Sequence, residues 1–243
     1  MAITILSASY TGMNSYIVNV EVDIFNGLPG FSIVGMGDTA IIESRERIRS
    51  SLKNIDVIFP AKKVIVNLSP ADIRKKGSQF DLSICTGILA NLGYIENMPR
   101  LEKYLILGEL SLNGDVKSCK GIINAVILAN DNNLEGIIMP YDNYKEASLI
   151  KGINIIPVKN LNDVFRFLNE GKYHTIKNTD FKSDLYTEDI DFSDIKGQSH
   201  AKRAAEIAAA GGHNLFLIGD PGSGKSMIAK RMTTILPRMH EEE

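Results

Sequence analysis

The sequence predicts an α/β fold in two parts: a mixed α+β domain over residues 1–168 and a truncated phosphate-binding α/β unit over 191–243, with an acidic linker over 169–190. Three observations support this organisation. Short β-branched runs alternate with helical stretches up to residue 168, the composition changes after Gly171, and a glycine-rich loop stands between an apolar run and a helical stretch near residue 220.

Composition narrows the class of protein. A chain of 243 residues exceeds one average domain of about 150 residues. With 27 basic and 29 acidic residues and 44% hydrophobic content, it is neither a disordered chain nor a wholly basic nucleic-acid-coating protein. It has no long apolar run and no basic stretch before an apolar start, so we expect a soluble, cytoplasmic protein. Cys85 and Cys119 form no CxxC pair, which argues against a disulfide framework or a metal cluster.

The first elements follow from local pattern. Residues 16–24 alternate apolar and polar side chains, which predicts a half-buried strand. A Gly-Leu-Pro-Gly turn leads to a second strand over 31–34. Asp38 is a suitable N-cap for a helix over 39–53.

Three arginines, Arg45, Arg47 and Arg49, fall on this helix. Arg47 and Arg49 stand at helical spacing from Glu43 and Glu46, so we expect two ion pairs. The arginines could contact nucleic acid, but a solvated helix face carries such residues more often.

The rest of the first domain is predicted by the same patterns. The Asn113-Gly114 dipeptide predicts a hairpin over 104–112 and beyond, closed by a type I′ turn. The other predicted elements are strands over 63–68, 136–139 and 154–158, and helices over 80–92, 121–130, 144–150 and 161–168.

Charge is unevenly distributed in the last third of the chain. Residues 180–195 contain six acids and one lysine, whereas residues 196–240 contain seven basic residues and two acids. The near-neutral total therefore conceals an acidic linker followed by a basic segment.

The basic segment contains a phosphate-binding motif. Residues 214–218 form a buried-strand candidate and 227–236 a helix, and the GxxxxGK[ST] loop between them is in the context that a P-loop requires. Backbone amides and the helix N-terminus would hold a polyphosphate, Lys225 would reach the β- and γ-phosphates, and Ser226 would ligate Mg²⁺. The candidate residues of this loop are Gly219, Asp220, Pro221, Gly222, Ser223, Gly224, Lys225 and Ser226.

Hydrolysis needs more than this loop. An acidic residue after a second strand and an arginine usually complete the site. Only 17 residues follow Ser226, without an apolar strand before the closing acids. We therefore expect a unit that is cut off after the P-loop helix, has no catalytic residue of its own and does not hydrolyse ATP alone.

Several ordered stretches resemble the ComM/YifB family of magnesium-chelatase-like AAA+ ATPases. They are GLPGFSIVGMGDTAIIESRERIRSSL, FPAKKVIVNLSPADIRKKGSQFDLSICTGILA, YLILGELSLNGDV and DFSDIKGQSHAKRAAEIAAAGGHNLFLIGDPGSGKSMIAKRM. The resemblance implies that the last stretch opens an AAA+ module that binds ATP and Mg²⁺. By position it also implies that Ile195, Gly197 and Gln198 lie near adenine.

The family's first domain is similar in fold to the Lon protease domain, which uses a serine and a lysine. The resemblance places Gln79 at the serine position and Ile123 at the lysine position, so both catalytic groups are missing. Ser78 could act instead only with a lysine in hydrogen-bond reach. The candidates for that lysine are Lys75, Lys76 and Lys120. We expect a binding or assembly module.

The resemblance also implies a function. ComM-like proteins are ring-shaped, ATP-driven motors that act on branched DNA when incoming strands recombine. The implied partners are other copies of the chain, in a hexameric ring, and DNA, with no membrane. The alternatives are a magnesium-chelatase ATPase subunit, a Lon-like protease and a non-catalytic interaction module. True chelatase subunits are similar only in the AAA+ module, which makes chelation the weaker alternative.

Overall fold

The computed structural model describes residues 2–12, 14–73, 75–173 and 190–237. The chain divides into two compact units, residues 1–176 and 177–243. Most of the predicted linker, 174–189, lies outside the described residues, so its boundaries remain a prediction. None of the helices within the described ranges has both the length and the apolar character needed to cross a bilayer.

The described residues of the first unit form nine strands, most of them in one sheet. Seven form a mixed sheet in the order β3-β4-β2-β1-β5-β8-β9, and β6 and β7 form a separate hairpin. Neighbours are parallel except that β2 is antiparallel to β1 and β4. The strands are β1 Ile3–Thr11, β2 Asn14–Phe25, β3 Gly30–Val34, β4 Lys63–Ser69, β5 Tyr104–Ile106, β6 Glu109–Leu110, β7 Val116–Lys117, β8 Gly136–Pro140 and β9 Asn154–Val158.

Helices cover both faces of the seven-stranded sheet. They are α1 Thr39–Asn54, α2 Asp81–Asn91, α3 Met98–Leu101, α4 Ile122–Asp131, α5 Tyr144–Ala147 and α6 Leu161–Glu170. Along β8, Ile138 belongs to the core formed with α1, α2 and α6, whereas Ile137 and Met139 belong to the core formed with α4 and α5. Because both faces are buried, the sheet forms the middle layer of a three-layer α/β unit.

Strand β1 lies in the middle of the sheet and was not among the predicted strands. Its residue Ile5 faces one core and Ala8 faces the other, so both faces are buried. Such a strand lacks the alternation of apolar and polar side chains that identified β2. The other predicted strands of this unit form within one or two residues of their expected bounds, apart from the hairpin.

The predicted hairpin was wrong at its start and in its turn. Residues Tyr104–Ile106 pair in parallel with β1 and β8, and only Glu109–Leu110 pairs with Val116–Lys117. A type I′ turn requires a positive φ at both central residues. Gly114 has φ 85°, but Asn113 is not among the described residues with a positive φ. Instead, Gly114 N–H donates to the Ser111 carbonyl at 3.1 Å.

Helix α1 is fixed by its polar side chains. Asp38 caps it as predicted, accepting from Ile41 N at 3.1 Å. Arg45 donates to the Phe31 carbonyl of β3 at 3.3 Å, and the Arg49 guanidinium lies 5.0 Å from the centre of the Phe59 ring. These two arginines therefore make contacts within the fold.

Arg47 pairs with a residue of another helix. Its Nε and Nη2 donate to the Asp81 carboxylate at 2.6 and 3.1 Å, so the expected ion pair with Glu43 is replaced by one between α1 and α2. Asp81 also accepts from Leu110 N of β6 at 3.2 Å. The carboxylate is almost fully buried, so these donors compensate its charge where water cannot.

The second unit contains α7 Ser199–Gly211 and α8 Lys225–Met232 around a small apolar cluster. The predicted strand over 214–218 does not form. Leu215 and Leu217 pack inward, but Phe216 and Ile218 are 85% and 83% exposed. Among the residues described in this unit, none is in a strand, so the segment has no partner for a backbone ladder.

The Arg47–Asp81 pair makes a testable contribution to stability. We expect Arg47→Met to lower the free energy of opening of α2 by about 3–5 kcal/mol, because it leaves a buried carboxylate without its cation. Native-state hydrogen exchange of the α2 amides measures this change.

Glu46→Gln is the matched control. Glu46 is exposed and lies 4.0 Å from Arg49, so its loss should change stability by less than about 0.5 kcal/mol. The double variant Arg47→Met/Asp81→Leu should recover part of the loss. An Arg47→Met protein as stable as the control would contradict the assignment.

Candidate functional site

The P-loop of the second unit has the backbone that its sequence requires. Gly222 and Gly224 adopt left-handed φ values of 82° and 86°. Helix α8 begins at Lys225 and has no side-chain cap, so its first amide groups remain available as donors. A loop of this kind ending at a helix N-terminus favours a bound anion.

The Lys225 ammonium lies inside the loop. It donates to the carbonyls of Gly219 and Asp220 at 2.6 and 2.7 Å and to Ser223 Oγ at 3.3 Å. Ser226 follows in the first turn of α8 and is exposed. The ammonium and the hydroxyl are therefore adjacent to the donor-rich loop, as phosphate and magnesium binding require.

The segment before α7 forms the other side of the site. Gly197 and Gln198 both have left-handed backbones, with φ 68° and 53°. Gln198 Nε2 donates to the Ser223 carbonyl at 3.4 Å, which ties this segment to the P-loop. A cleft of about 240 Å³ lies between them, lined by Ile195, Lys196, Gln198, Gly222, Ser223, Gly224, Met227 and Ile228.

The predicted site residues thus come together only in part. Ile195 and Gln198 line the cleft with Gly222, Ser223 and Gly224. Gly197, Lys225 and Ser226 are not among the lining residues. The first half of the P-loop, Gly219, Asp220 and Pro221, is exposed outside the cleft. Lys196, Met227 and Ile228 could not be predicted as lining residues, because no motif marks them.

Lys202 is a further residue that sequence reasoning missed. Its Nζ donates to the Ile195 carbonyl at 3.2 Å and lies 5.9 Å from the centre of the Phe192 ring. This contact holds the cleft segment against α7. The P-loop amides and the Lys225 ammonium are donors for phosphate, and the Ser226 hydroxyl is a ligand for Mg²⁺. The residue types present therefore fit a magnesium-bound nucleotide.

Within the described part of the chain, no serine–lysine pair stands at the position that the Lon resemblance assigns to the catalytic serine, which is Gln79 with Ser78 beside it. Ser78 Oγ donates to the Glu109 carboxylate, and Gln79 is buried. Among the described residues, no lysine bonds to Ser78; Lys75 is buried with Nζ unpartnered, and Lys76 and Lys120 are exposed. An unactivated serine hydroxyl is a poor nucleophile, so the arrangement does not support proteolysis.

Burial shifts the pKa values of three side chains in the first unit: Asp81, Lys75 and Cys119. Burial raises the pKa of Asp81 to about 6, although the hydrogen bonds from Arg47 act in the opposite direction. Burial also lowers the pKa of Lys75. The pKa of the Cys119 thiol is raised to about 12, again chiefly by burial, which keeps this thiol protonated and unreactive.

Two protein-family models match the chain. The model described as "Subunit ChlI of Mg-chelatase" matches residues 20–143. The model described as "Magnesium chelatase, subunit ChlI" matches residues 191–243.

Curated proteins are similar over almost the whole chain. Competence protein ComM of Haemophilus influenzae is 38% identical over 243 residues, covering 98% of this chain and 47% of the relative. YifB of Escherichia coli is 40% identical over 234 residues, covering 96% of this chain and 45% of the relative. The chain thus spans about half the length of these relatives.

A more distant similarity is to the Lon protease of Aster yellows witches'-broom phytoplasma. It is 26% identical over 170 residues, covering 65% of this chain and 21% of the relative. This similarity is consistent with a Lon-like first domain.

Proteolysis offers a direct test of the Ser78 environment. We expect neither the wild-type chain nor Ser78→Ala to cleave unfolded casein above a buffer control, because the Ser78 hydroxyl has no lysine partner. Gel electrophoresis of fluorescent casein fragments measures cleavage. Cleavage by the wild type that disappears in Ser78→Ala would show that the serine is activated after all.

Proposed function

This chain belongs to the ComM/YifB family of magnesium-chelatase-like proteins, and we propose that it supplies the magnesium-ATP-binding part of an ATP-driven motor that remodels branched DNA. The observation that carries the nucleotide part is the P-loop, whose left-handed glycines lead into α8 at Lys225. The DNA part rests on the name and family of the relatives, among them a competence protein.

Each part of the site has a distinct role in this proposal. The amides at the start of α8 and the Lys225 ammonium bind the phosphates, since both are donors at one helix terminus. The Ser226 hydroxyl ligates Mg²⁺. Ile195 and Gln198 line the cleft that accepts the base, and Lys202 holds the Ile195 carbonyl in place.

In this proposal the described residues bind magnesium-ATP but do not hydrolyse it by themselves. Bound magnesium would neutralise phosphate charge, while hydrolysis also needs an acidic residue and an arginine beyond the P-loop. Asp220 lies within the P-loop, and Glu206 is the acid that comes before it in the sequence. Glu206 pairs with Arg203 at 3.0 Å. Assembly into a ring would allow a neighbouring copy to contribute further residues to the site.

The first unit serves binding or assembly in this proposal. Gln79 and Ile123 stand at the positions that the Lon resemblance assigns to the serine and the lysine. An interaction module can keep the fold without the nucleophile, because the Arg47–Asp81 hydrogen bonds that join α1 to α2 do not use the Gln79 or Ile123 side chains.

Nucleotide binding depends on Lys225 in this proposal. We expect Lys225→Ala to weaken binding of a fluorescent ATP analogue with Mg²⁺ at least about tenfold, because the ammonium contacts the phosphates. Fluorescence titration of the chain measures the dissociation constant. Lys230→Ala is the matched control on the same helix: Lys230 is exposed, and its loss should leave binding unchanged. Equal affinities for all three proteins would contradict the proposed role.

DNA stimulation tests the motor. The test uses a full-length protein, as long as the relatives, that includes this chain. We expect its ATP turnover to rise several-fold with four-way branched DNA and much less with linear duplex DNA. A coupled assay for released phosphate measures turnover, with Lys225→Ala as the negative control. Turnover that is the same with and without branched DNA would rule out the DNA part and leave the nucleotide part standing.

A further inference from the structure

We propose that a small cleft in the first unit binds an oxyanion, such as a carboxylate or phosphate oxygen. The cleft lies where β1 and β2 meet the N-terminus of α4, and Ser9, Tyr10, Gln79, Lys120 and Gly121 are among the residues that line it. Its volume is about 10 Å³, which is space for about one oxygen-sized group. The cleft belongs to the first unit and the P-loop to the second, and the proposal does not rest on nucleotide binding.

Gln79 supplies the first reason for an anion. It is only 5% exposed, and among the described residues its buried Nε2 has no hydrogen-bond partner. Its Oε1 is turned toward Gly77, where it lies 2.4 Å from the place a Cβ atom would occupy. A buried amide donor without an acceptor is unfavourable, and an oxygen atom in the cleft would remove that cost.

The N-terminus of α4 supplies the second reason. This helix has 10 residues and no side-chain cap, so its first amide N–H groups remain available as donors. The helix dipole places partial positive charge at the same point. Gly121, which precedes α4, has φ 79°, and the Tyr10 ring lies against it and forms one wall of the cleft.

Lys120 and the hydrogen bonds of the neighbouring acids supply the third reason for a ligand from outside the chain. Lys120 is among the residues that line the cleft and is exposed, so its ammonium adds positive charge to this part of the surface. The neighbouring acids already have partners. Asp81 accepts from Arg47, Glu109 accepts from Ser78, and Glu146 accepts from Asn143.

Three sources of donors therefore border one oxygen-sized space: Gln79 with its unpartnered amide, the N-terminus of α4, and Lys120. Donors without an acceptor select a negatively charged oxygen over a cation or an apolar group. The Lon resemblance places Gln79 where a nucleophile would stand, so this cleft occupies the former catalytic position and would bind a ligand there without reacting with it.

Nuclear magnetic resonance of the ¹⁵N-labelled chain tests the proposal. Sodium acetate and sodium phosphate are titrated separately at constant ionic strength. We expect saturable shifts of the Gln79 side-chain amide and of the backbone amides of Ile122 and Ile123. Tighter binding of acetate points to a carboxylate source such as a polypeptide, and tighter binding of phosphate points to a phosphate source.

Matched variants decide between site and surface effects. We expect Gln79→Glu, which keeps the shape but removes the donor, and Lys120→Met to weaken binding at least about fivefold. Lys151→Met, another exposed lysine, should leave it unchanged. Because Lys120 is exposed, its variant remains informative even if Gln79→Glu fails to fold.

The overturning results are equally definite. Shifts that stay linear with both anions, or that persist at the same affinity in Gln79→Glu and Lys120→Met, would show that no oxyanion site exists there. The Lys225→Ala chain should give the same shifts at Gln79 as the wild type, so failure of this site and failure of the nucleotide site are distinguishable.

Discussion

The buried ion pair between Arg47 and Asp81 is the interaction on which the first unit depends. It joins α1 to α2, and the same carboxylate accepts from Leu110 N, so two helices and a strand meet at one atom group. Removing Arg47 would leave the Asp81 carboxylate, which is 1% exposed, without its cation where water cannot reach it. Gln79 lies two residues before Asp81, so the pair also fixes the chain beside the proposed oxyanion cleft.

Much of the fold could be predicted because its signals are local. The alternation in β2 and the Asp38 cap depend on neighbours in sequence, and both formed as expected. The partner of Arg47 could not be predicted, because Asp81 is 34 residues away while Glu43 stood at the favourable helical spacing. Strand β1 was missed for a related reason: burial on both faces is decided by distant elements.

The candidate site likewise has one part that could be predicted from local sequence and another part that could not. The P-loop could be identified from sequence because its glycines, lysine and serine act through the backbone conformation they themselves adopt. The contacts of Lys202 and the approach of Gln198 to Ser223 required the folded unit. The strand over 214–218 failed as a prediction because a strand needs a neighbour for its backbone, and the described part of this unit contains no second strand.

Arg45 has a consequence for how the chain behaves in concentrated solution. Strand β3 lies at the edge of the sheet, where exposed carbonyls invite pairing with a second molecule. The Arg45 guanidinium occupies the Phe31 carbonyl and places a positive charge beside it. In the folded unit, a second strand that paired at this edge would have to displace the guanidinium from the Phe31 carbonyl and approach its charge, which raises the free energy of edge-to-edge association.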